Sequence, residues 1–141
     1  MYADGSSNSV IITATHDQTN HMNYYELTSD ATNDYDIVIQ IRVPENFNTW
    51  NSNAQKIYVW TDDTSTCTLT CEIFDTTGTT DGSDTITPAS NSTWTTKTLT
   101  TPAGTYANAG YFHIHLKGSI ASTGKKIRFG WIELAYTRKV I

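Results

Sequence analysis

Residues 35–50 read YDIVIQIRVPENFNTW, and this stretch decides the fold. Its apolar side chains recur at every second position, at Tyr35, Ile37, Ile39, Ile41 and Val43, and the alternate positions hold Asp36, Val38, Gln40 and Arg42. A period of two with many β-branched residues is typical of a half-buried β-strand. Pro44 lacks a backbone N–H and fixes φ, so we expect the strand to end there. Phe47 and Trp50 follow without a strand period and are predicted to lie in a loop that folds back over the sheet.

The rest of the chain supplies further strands of the same kind. Eight segments alternate or are rich in β-branched and aromatic residues: 9–15, 22–28, 56–61, 66–75, 84–87, 93–101, 110–117 and 127–137. Turn residues separate them, and no internal repeat, heptad or helical period is present. The pattern predicts an all-β fold, an antiparallel β-sandwich of 8–9 strands, with a jelly roll as first choice. Residues 9–141 are predicted to form a single domain, preceded by a flexible or partner-dependent arm at residues 1–8.

Two of these segments change phase along their length. In 127–137 the apolar residues before and after Gly130 belong to opposite faces, so a β-bulge is predicted at Gly130. In 93–101 Trp94 and Leu99 are out of phase, which predicts a second bulge between them.

Cys67 and Cys71 share one face of the segment 66–75. Residues four apart in an extended strand are separated by about 13 Å, beyond the ~7 Å limit for a disulfide. We therefore expect no bridge between them and two small, buried apolar side chains.

Composition and charge exclude several partners. The net charge is −5, which opposes nucleic-acid binding because phosphate contacts need clustered Lys and Arg. No apolar run approaches the length that spans a membrane, so no membrane partner is expected. The N-terminus lacks a basic region followed by an apolar region, so no signal peptide is predicted.

The motifs of common enzyme classes are missing from the sequence. There is no G-x-S-x-G, H-E-x-x-H, P-loop or dinucleotide fingerprint. None of the four glutamates, Glu26, Glu45, Glu72 and Glu133, has a carboxylate partner at the spacing that jelly-roll glycosidases use on one strand face. We predict that the protein is not an enzyme and needs no cofactor.

His113 and His115 are the candidate metal ligands. They lie two residues apart, so both imidazoles project from the same face of a strand and can share an ion. Exposed or cross-strand-packed histidines are the alternative. Asp62 and Asp63, and Asp81 to Asp84, could supply oxygens to calcium, although aspartates in turns commonly serve the turn itself.

Aromatic residues make up 11% of the chain and raise the possibility of sugar binding. Aromatic faces stack on pyranose rings, but a small sandwich also needs large side chains between its sheets. Trp60 and Trp94 are predicted to lie next to the core. Trp50, Trp131 and Tyr111 are the candidate ligand-binding residues.

The sequence resembles β-sandwich domains of phage and environmental viral structural proteins. The resemblance is carried by the stretch 35–50, the segment KIYVWTDD, the S-T-W turn before a Thr-rich strand, and the closing GWIELAY. The viral proteins include head-decoration and fibre proteins with jelly-roll modules, and the resemblance covers most of the chain. It implies a domain without an active site that is commonly trimeric and binds an assembled shell or tail.

Two functions compete at this point. The first is a non-enzymatic virion structural or accessory protein, a homotrimer that binds a major capsid or tail protein and is assembled into virions in the host cytoplasm. Tyr2, Ala3 and Asp4 are its predicted contacts with a partner or another copy. The alternative is a carbohydrate-binding module that holds a glycan with exposed aromatic residues.

Overall fold

The computed structural model describes residues 2–5, 10–29, 33–88 and 90–140. Twelve strands lie in these residues: β1 (Tyr2–Gly5), β2 (Val10–Asp17), β3 (Met22–Ser29), β4 (Asn33–Arg42), β5 (Phe47–Trp50), β6 (Lys56–Thr61), β7 (Cys67–Phe74), β8 (Thr80–Ile86), β9 (Thr95–Thr98), β10 (Tyr111–Ile120), β11 (Lys125–Glu133) and β12 (Tyr136–Arg138). Sheet A has the strand order β1-β4-β10-β7-β8, sheet B has the order β2-β3-β11-β6-β9, and β12 and β5 form a two-stranded sheet.

All strand pairs are antiparallel, and the predicted all-β sandwich is confirmed. The number of strands exceeds the expected eight or nine because three strands of three or four residues, β1, β5 and β12, were too short to show a period. No helix of membrane-spanning length and hydropathy occurs among the described residues.

The core lies between sheets A and B and follows the alternation of the sequence. The alternation of GYFHIHLK predicts that Phe112, Ile114 and Leu116 of β10 face inward, and these side chains are at most 3% exposed. Other buried apolar side chains include Leu27, Ile37, Ile57, Val59, Leu69, Ile73, Ile127 and Phe129. Cys67 and Cys71 are buried and free, as predicted, and burial raises the pKa of Cys71 to about 12. On β2 the alternation of SVIITAT predicts that Ala14 faces inward, and this prediction is wrong because Ala14 is exposed.

Trp50 is part of the core, so its predicted role as a sugar platform is wrong. It ends β5, which pairs with β12, and its side chain is only 8% exposed. Its ring lies 5.0 Å from that of Tyr106 and 5.7 Å from that of Phe112, both in edge-to-face geometry. The predicted loop over the sheet is therefore a short strand whose aromatic residues close one end of the sandwich.

The N-terminal residues 2–5 belong to sheet A. The backbone of β1 pairs with β4, with Tyr2 opposite Val38 and Gly5 opposite Tyr35, rather than forming a separate arm. Tyr2, Ala3 and Asp4, the predicted partner contacts, lie in this strand; residues 1 and 6–9 lie outside the described residues. Whether the three residues also contact a partner stays a prediction.

One of the two predicted bulges is present. The register of β11 against β6 shifts between Phe129 and Ile132, around Gly130 as expected. An added Cβ at Gly130 would lie 3.2 Å from the ring of Tyr58, so the missing side chain lets that ring approach the sheet. The second bulge is not found, because β9 ends at Thr98 and Leu99 lies beyond the strand.

Gln55 is fully buried and forms hydrogen bonds to residues in three loops, those between β5 and β6, between β11 and β12, and after β9. Its Nε2 donates to the carbonyl oxygens of Asn51 at 2.8 Å and Ala135 at 3.2 Å, and its Oε1 accepts from the N–H of Ala135 at 2.8 Å. Its own carbonyl accepts from the N–H of Leu99 at 2.9 Å. The side chain therefore supplies hydrogen-bond partners to the carbonyl of Asn51 and the N–H of Ala135, which are partly shielded from water.

Replacing Gln55 by Leu should lower the free energy of unfolding by about 2 kcal/mol, because the carbonyl of Asn51 and the N–H of Ala135 lose their hydrogen bonds to the fully buried Gln55 side chain. Urea denaturation measures the change. The matched control is Gln18→Leu at an exposed turn, for which we expect less than about 0.5 kcal/mol. Equal losses in the two variants would contradict this role for Gln55.

Aspartates fix the loop after β9 to the β7–β8 hairpin. Asp75 accepts from the N–H and hydroxyl of Thr77, at 2.9 and 2.6 Å, and from the N–H of Thr105 at 3.0 Å. Asp81 accepts from the N–H of Ala103 at 3.0 Å and the hydroxyl of Tyr106 at 2.7 Å. These contacts give Asp75 and Asp81 a structural role, which for Asp81 is the alternative to calcium that the sequence left open.

The hydrogen bonds to Asp75, from the Thr77 side chain first, lower its pKa to about 2. Since its pKa is depressed in the folded state, the carboxylate stabilises the fold above the unfolded pKa of about 4, and this contribution is lost as pH falls toward 2. We expect Asp75→Asn to be less stable than the parent at pH 7, with the difference shrinking between pH 4 and pH 2. Thermal unfolding across this range measures it, and a constant difference would contradict the assignment.

Candidate functional site

The outward side chains of the central strands of sheet A form what we call the polar face: Gln40 and Arg42 of β4, Tyr111, His113 and His115 of β10, and Glu72 and Phe74 of β7. The ladder register brings them together, since Tyr111 lies opposite Arg42, and His113 lies between Gln40 and Phe74. The intervening residues of β10 are buried, so these side chains must point away from the core.

Polar contacts between neighbouring strands organise this face. The amide nitrogen of Gln40 donates to Nε2 of His113 at 3.2 Å. On the next rung, Nδ1 of His115 lies 3.8 Å from Oε2 of Glu72. The ring of Phe74 lies 6.2 Å from that of His115. The face thus offers amide, imidazole and carboxylate groups beside aromatic rings.

Tyr111 lies at one end of the polar face and is 54% exposed. An open groove of about 660 Å³ begins beside it and is lined by Arg42, Val43, Pro44, Glu45, Asn46 and Lys139. In this groove Arg42 forms an exposed ion pair with Glu45 at 3.2 Å. A ligand that covers Tyr111 can therefore extend along β10 or into the groove.

The outer face of sheet B carries a different feature, the aromatic stack of Trp131, Tyr58 and Trp94. Tyr58 is nearly parallel to both tryptophans, with ring centroids 5.3 Å from Trp131 and 4.9 Å from Trp94. These distances match the spacing of adjacent strands, so the rings stand side by side on the sheet. Both faces of Tyr58 and one face of each tryptophan are covered by another ring.

A second cluster on sheet B is built around Arg128. Its guanidinium carbon lies 3.8 Å from the ring centre of Trp60 and 5.0 Å from that of Tyr24. Its Nε donates to Glu26 at 2.7 Å, and Nζ of Lys126 donates to the same carboxylate at 2.8 Å. Partial burial acts to raise the pKa of Glu26, but the hydrogen bonds and charges of Lys126 and Arg128 outweigh it and lower that pKa.

The structure does not bring the predicted sugar-binding residues together. Trp50 is in the core, Trp131 is 38% exposed on sheet B, and Tyr111 is on sheet A. His113 and His115 are neighbours as predicted, but their contacts run to different strands, β4 and β7. Within the described ranges no group of three or more His, Cys, Asp or Glu side chains is placed to hold a metal.

Gln40, Arg42 and Glu72 were not among the predicted site residues. Each lies on a strand whose alternation shows that it points outward, but the sequence does not show which strands are neighbours. The pairing of β10 with both β4 and β7 is what places these residues beside Tyr111 and His113.

Comparisons of the sequence with family models and with curated proteins give no match. Solved structures with the same fold do match. TmCBM61, solved in complex with β-1,4-galactotriose, has a TM-score of 0.69 at 8% identity, covering 96% of this chain and 88% of that one. The family 11 carbohydrate-binding module of the cellulase Lic26A-Cel5E of Clostridium thermocellum has a TM-score of 0.56 at 13% identity, covering 99% and 89%.

A phage protein is also among the matches. The enzymatically active domain of bacteriophage CBA120 tailspike protein 4 has a TM-score of 0.57 at 16% identity, covering 96% of this chain but 19% of that one. The neighbours are mostly carbohydrate-binding modules, and the predicted main function, a virion structural protein, is therefore wrong. The expected trimer and virion location rest on the resemblance alone and stay predictions.

Arg128 and Lys126 contact the same carboxylate but should differ in their contributions to stability. We expect Arg128→Met to lower the free energy of unfolding by about 1 kcal/mol, because it removes both a short hydrogen bond and the contact with Trp60. Lys126→Met, its matched control, should cost about 0.3 kcal/mol, as expected for a partly exposed ion pair. Urea denaturation of both variants tests this, and a larger loss for Lys126→Met would contradict it.

Proposed function

We propose that this domain binds a carbohydrate through the polar face of sheet A, with Tyr111 as the stacking platform. The observation that carries the proposal is a half-exposed tyrosine ring at the end of a cross-strand row of polar side chains. Sugar rings have apolar C–H faces and a rim of hydroxyl groups. They are therefore complementary to an aromatic ring with hydrogen-bonding groups beside it.

The polar side chains provide both kinds of hydrogen-bonding group. Gln40 and His113 each carry donor and acceptor atoms, Arg42 donates, and the carboxylate oxygens of Glu72 accept. A sugar hydroxyl both donates and accepts, so adjacent hydroxyls can pair with such a row. The contacts between Gln40 and His113, and between His115 and Glu72, restrict the side chains before a ligand arrives, which reduces the entropy cost of binding.

Tyr111 is a better platform than the aromatic stack of sheet B. In the stack most ring faces already contact another aromatic ring. No other described ring packs against Tyr111. Trp131 is 38% exposed, and Tyr58 and Trp94 are half-buried. The stacking of Trp131 on Tyr58 leaves a single ring face for a ligand.

Binding rather than hydrolysis is favoured by the carboxylates of the site. Glycoside hydrolysis uses a pair of carboxyl groups on either side of the scissile bond. Among the residues that define the polar face, Glu72 is the one carboxylate, and it lies beside His115. Several structural neighbours are described as carbohydrate-binding modules, which also supports a binding function.

The proposal is tested with a glycan array followed by calorimetry. The array should include β-1,4-linked galactan oligosaccharides, because one neighbour was solved with β-1,4-galactotriose. We expect the parent protein to bind at least one glycan. Tyr111→Ala should weaken that binding by about tenfold or more, since a central aromatic contact commonly dominates a small interface.

Trp131→Ala is the matched control, because it removes the exposed aromatic ring of the opposite sheet and should leave the affinity unchanged. Circular dichroism of both variants verifies the fold. Loss of binding in Trp131→Ala with full binding in Tyr111→Ala would move the site to sheet B and contradict the proposal. Absence of binding to every glycan on the array would also count against it.

A further inference from the structure

The groove beside Tyr111 is built on backbone that is held at two points. The N–H of Val43 donates to the carbonyl oxygen of Gly110 at 2.8 Å, which ties the turn between β4 and β5 to the chain just before β10. The N–H of Lys139 donates to the carbonyl oxygen of Asn46 at 2.8 Å, which ties the chain after β12 to the same turn. The residues that line the groove are therefore positioned by hydrogen bonds that exist before a ligand binds.

Two exposed cationic side chains, Arg42 and Lys139, line this groove. Arg42 lies directly opposite Tyr111 in the ladder between β4 and β10, and such pairs have Cβ atoms about 4.5–5.5 Å apart. The ammonium group of Lys139 has no hydrogen bond or ion pair with any other residue that the structure describes. A ligand that stacks on Tyr111 and enters the groove thus meets a guanidinium first and can reach an unpaired ammonium.

Glu45 is the one carboxylate in the lining of the groove. Its Oε1 lies 3.2 Å from Nη2 of Arg42, and the two side chains are 79% and 56% exposed. An exposed pair of this kind contributes only about 0–1 kcal/mol, and it uses one nitrogen of a guanidinium that has five N–H donors. Arg42 can therefore pair with a further anion at little cost, and the two cations leave the groove with an excess of positive charge over Glu45.

The rest of the lining is suited to a sugar ring. Pro44, which is half-buried, supplies apolar surface, and the side-chain amide of Asn46 can both donate to and accept from a hydroxyl group. These two residues would serve a neutral sugar equally well. The cations supply the feature that a neutral sugar does not use, because a guanidinium pairs with both oxygens of a carboxylate or of a similar oxyanion.

The acidic balance of the whole chain, a net charge of −5, does not prevent this contact. At physiological ionic strength the fields of exposed charges are screened over about 8 Å. An anion held in the groove therefore interacts mainly with Arg42, Lys139 and Glu45, and only weakly with carboxylates elsewhere on the domain.

We propose that the natural ligand is an acidic glycan, whose anionic group binds to Arg42 and Lys139 while a neighbouring sugar ring stacks on Tyr111. This inference rests on the proposed carbohydrate site and adds the class of its substrate. The carboxylate of a uronic acid and the sulfate ester of a sulfated sugar present the same chemistry here, oxygen acceptors with negative charge on a hydroxylated ring. Glu45 orients Arg42 in the free protein and competes with the ligand for it.

The test compares acidic oligosaccharides with their own neutralised forms by calorimetry. The probes are oligogalacturonate, oligomannuronate and a sulfated galactan oligosaccharide, each beside its methyl-esterified or desulfated counterpart, so that only the charge differs. We expect at least one acidic probe to bind about fivefold more tightly than its counterpart, as a charge-assisted hydrogen bond implies, and this preference to shrink in 0.5 M NaCl. Which pair shows the preference distinguishes a carboxylate from a sulfate.

Three variants locate the preference in the groove. Lys139→Met should lower the ratio of acidic to neutral affinity about fivefold, and Glu45→Gln should raise it about threefold because the competing carboxylate is lost. The matched control is Arg138→Met, which removes the same charge from the adjacent exposed residue that does not line the groove. It should change the ratio by less than about twofold.

Equal affinity for an acidic glycan and its neutral counterpart, with binding still lost in Tyr111→Ala, would overturn this inference and leave the proposed function intact. Equal effects of Lys139→Met and Arg138→Met would assign the preference to overall charge and would also overturn it. Absence of binding to acidic and neutral glycans alike would instead contradict the proposed function, and this inference with it.

Discussion

The packing of sheet A against sheet B is the interaction on which the rest of the structure depends. Because side chains alternate along a strand, burial of Ile114 and Leu116 in the core forces His113 and His115 to the outside. Strand pairing then places side chains of β4 and β7 next to those of β10. The polar face is therefore a consequence of core formation, and any change of register in β10 would disperse it.

The two outer surfaces use aromatic residues in different ways. On sheet B the bulge at Gly130 changes the register of β11, and Trp131 stacks on Tyr58, which in turn stacks on Trp94. Tyr24 and Trp60 enclose Arg128. On the outer face of sheet B these rings therefore pack against one another or against Arg128. On sheet A the exposed ring of Tyr111 has polar neighbours instead, and that difference is why we propose a ligand site there.

Local pattern predicted much of the fold and little of the site. Alternation identified the inward residues of β7 and β10, and Gly130 identified the bulge. Trp50 was misplaced because a four-residue strand has too few positions to show a period. The polar face depends on pairing between residues as distant as Gln40 and His113, which a single sequence does not encode locally. The viral assignment failed because alternating strands and aromatic turns are common to many sandwiches.

The most direct test of the central claim is an NMR titration of the ¹⁵N-labelled protein with β-1,4-galactotriose, or with whichever glycan the array selects. The amide resonances report which surface the ligand touches. Our account predicts shifts concentrated in β4, β7 and β10, at Gln40, Tyr111 and His113, with resonances of sheet B unchanged. Shifts confined to Tyr58, Trp94 and Trp131 would contradict it.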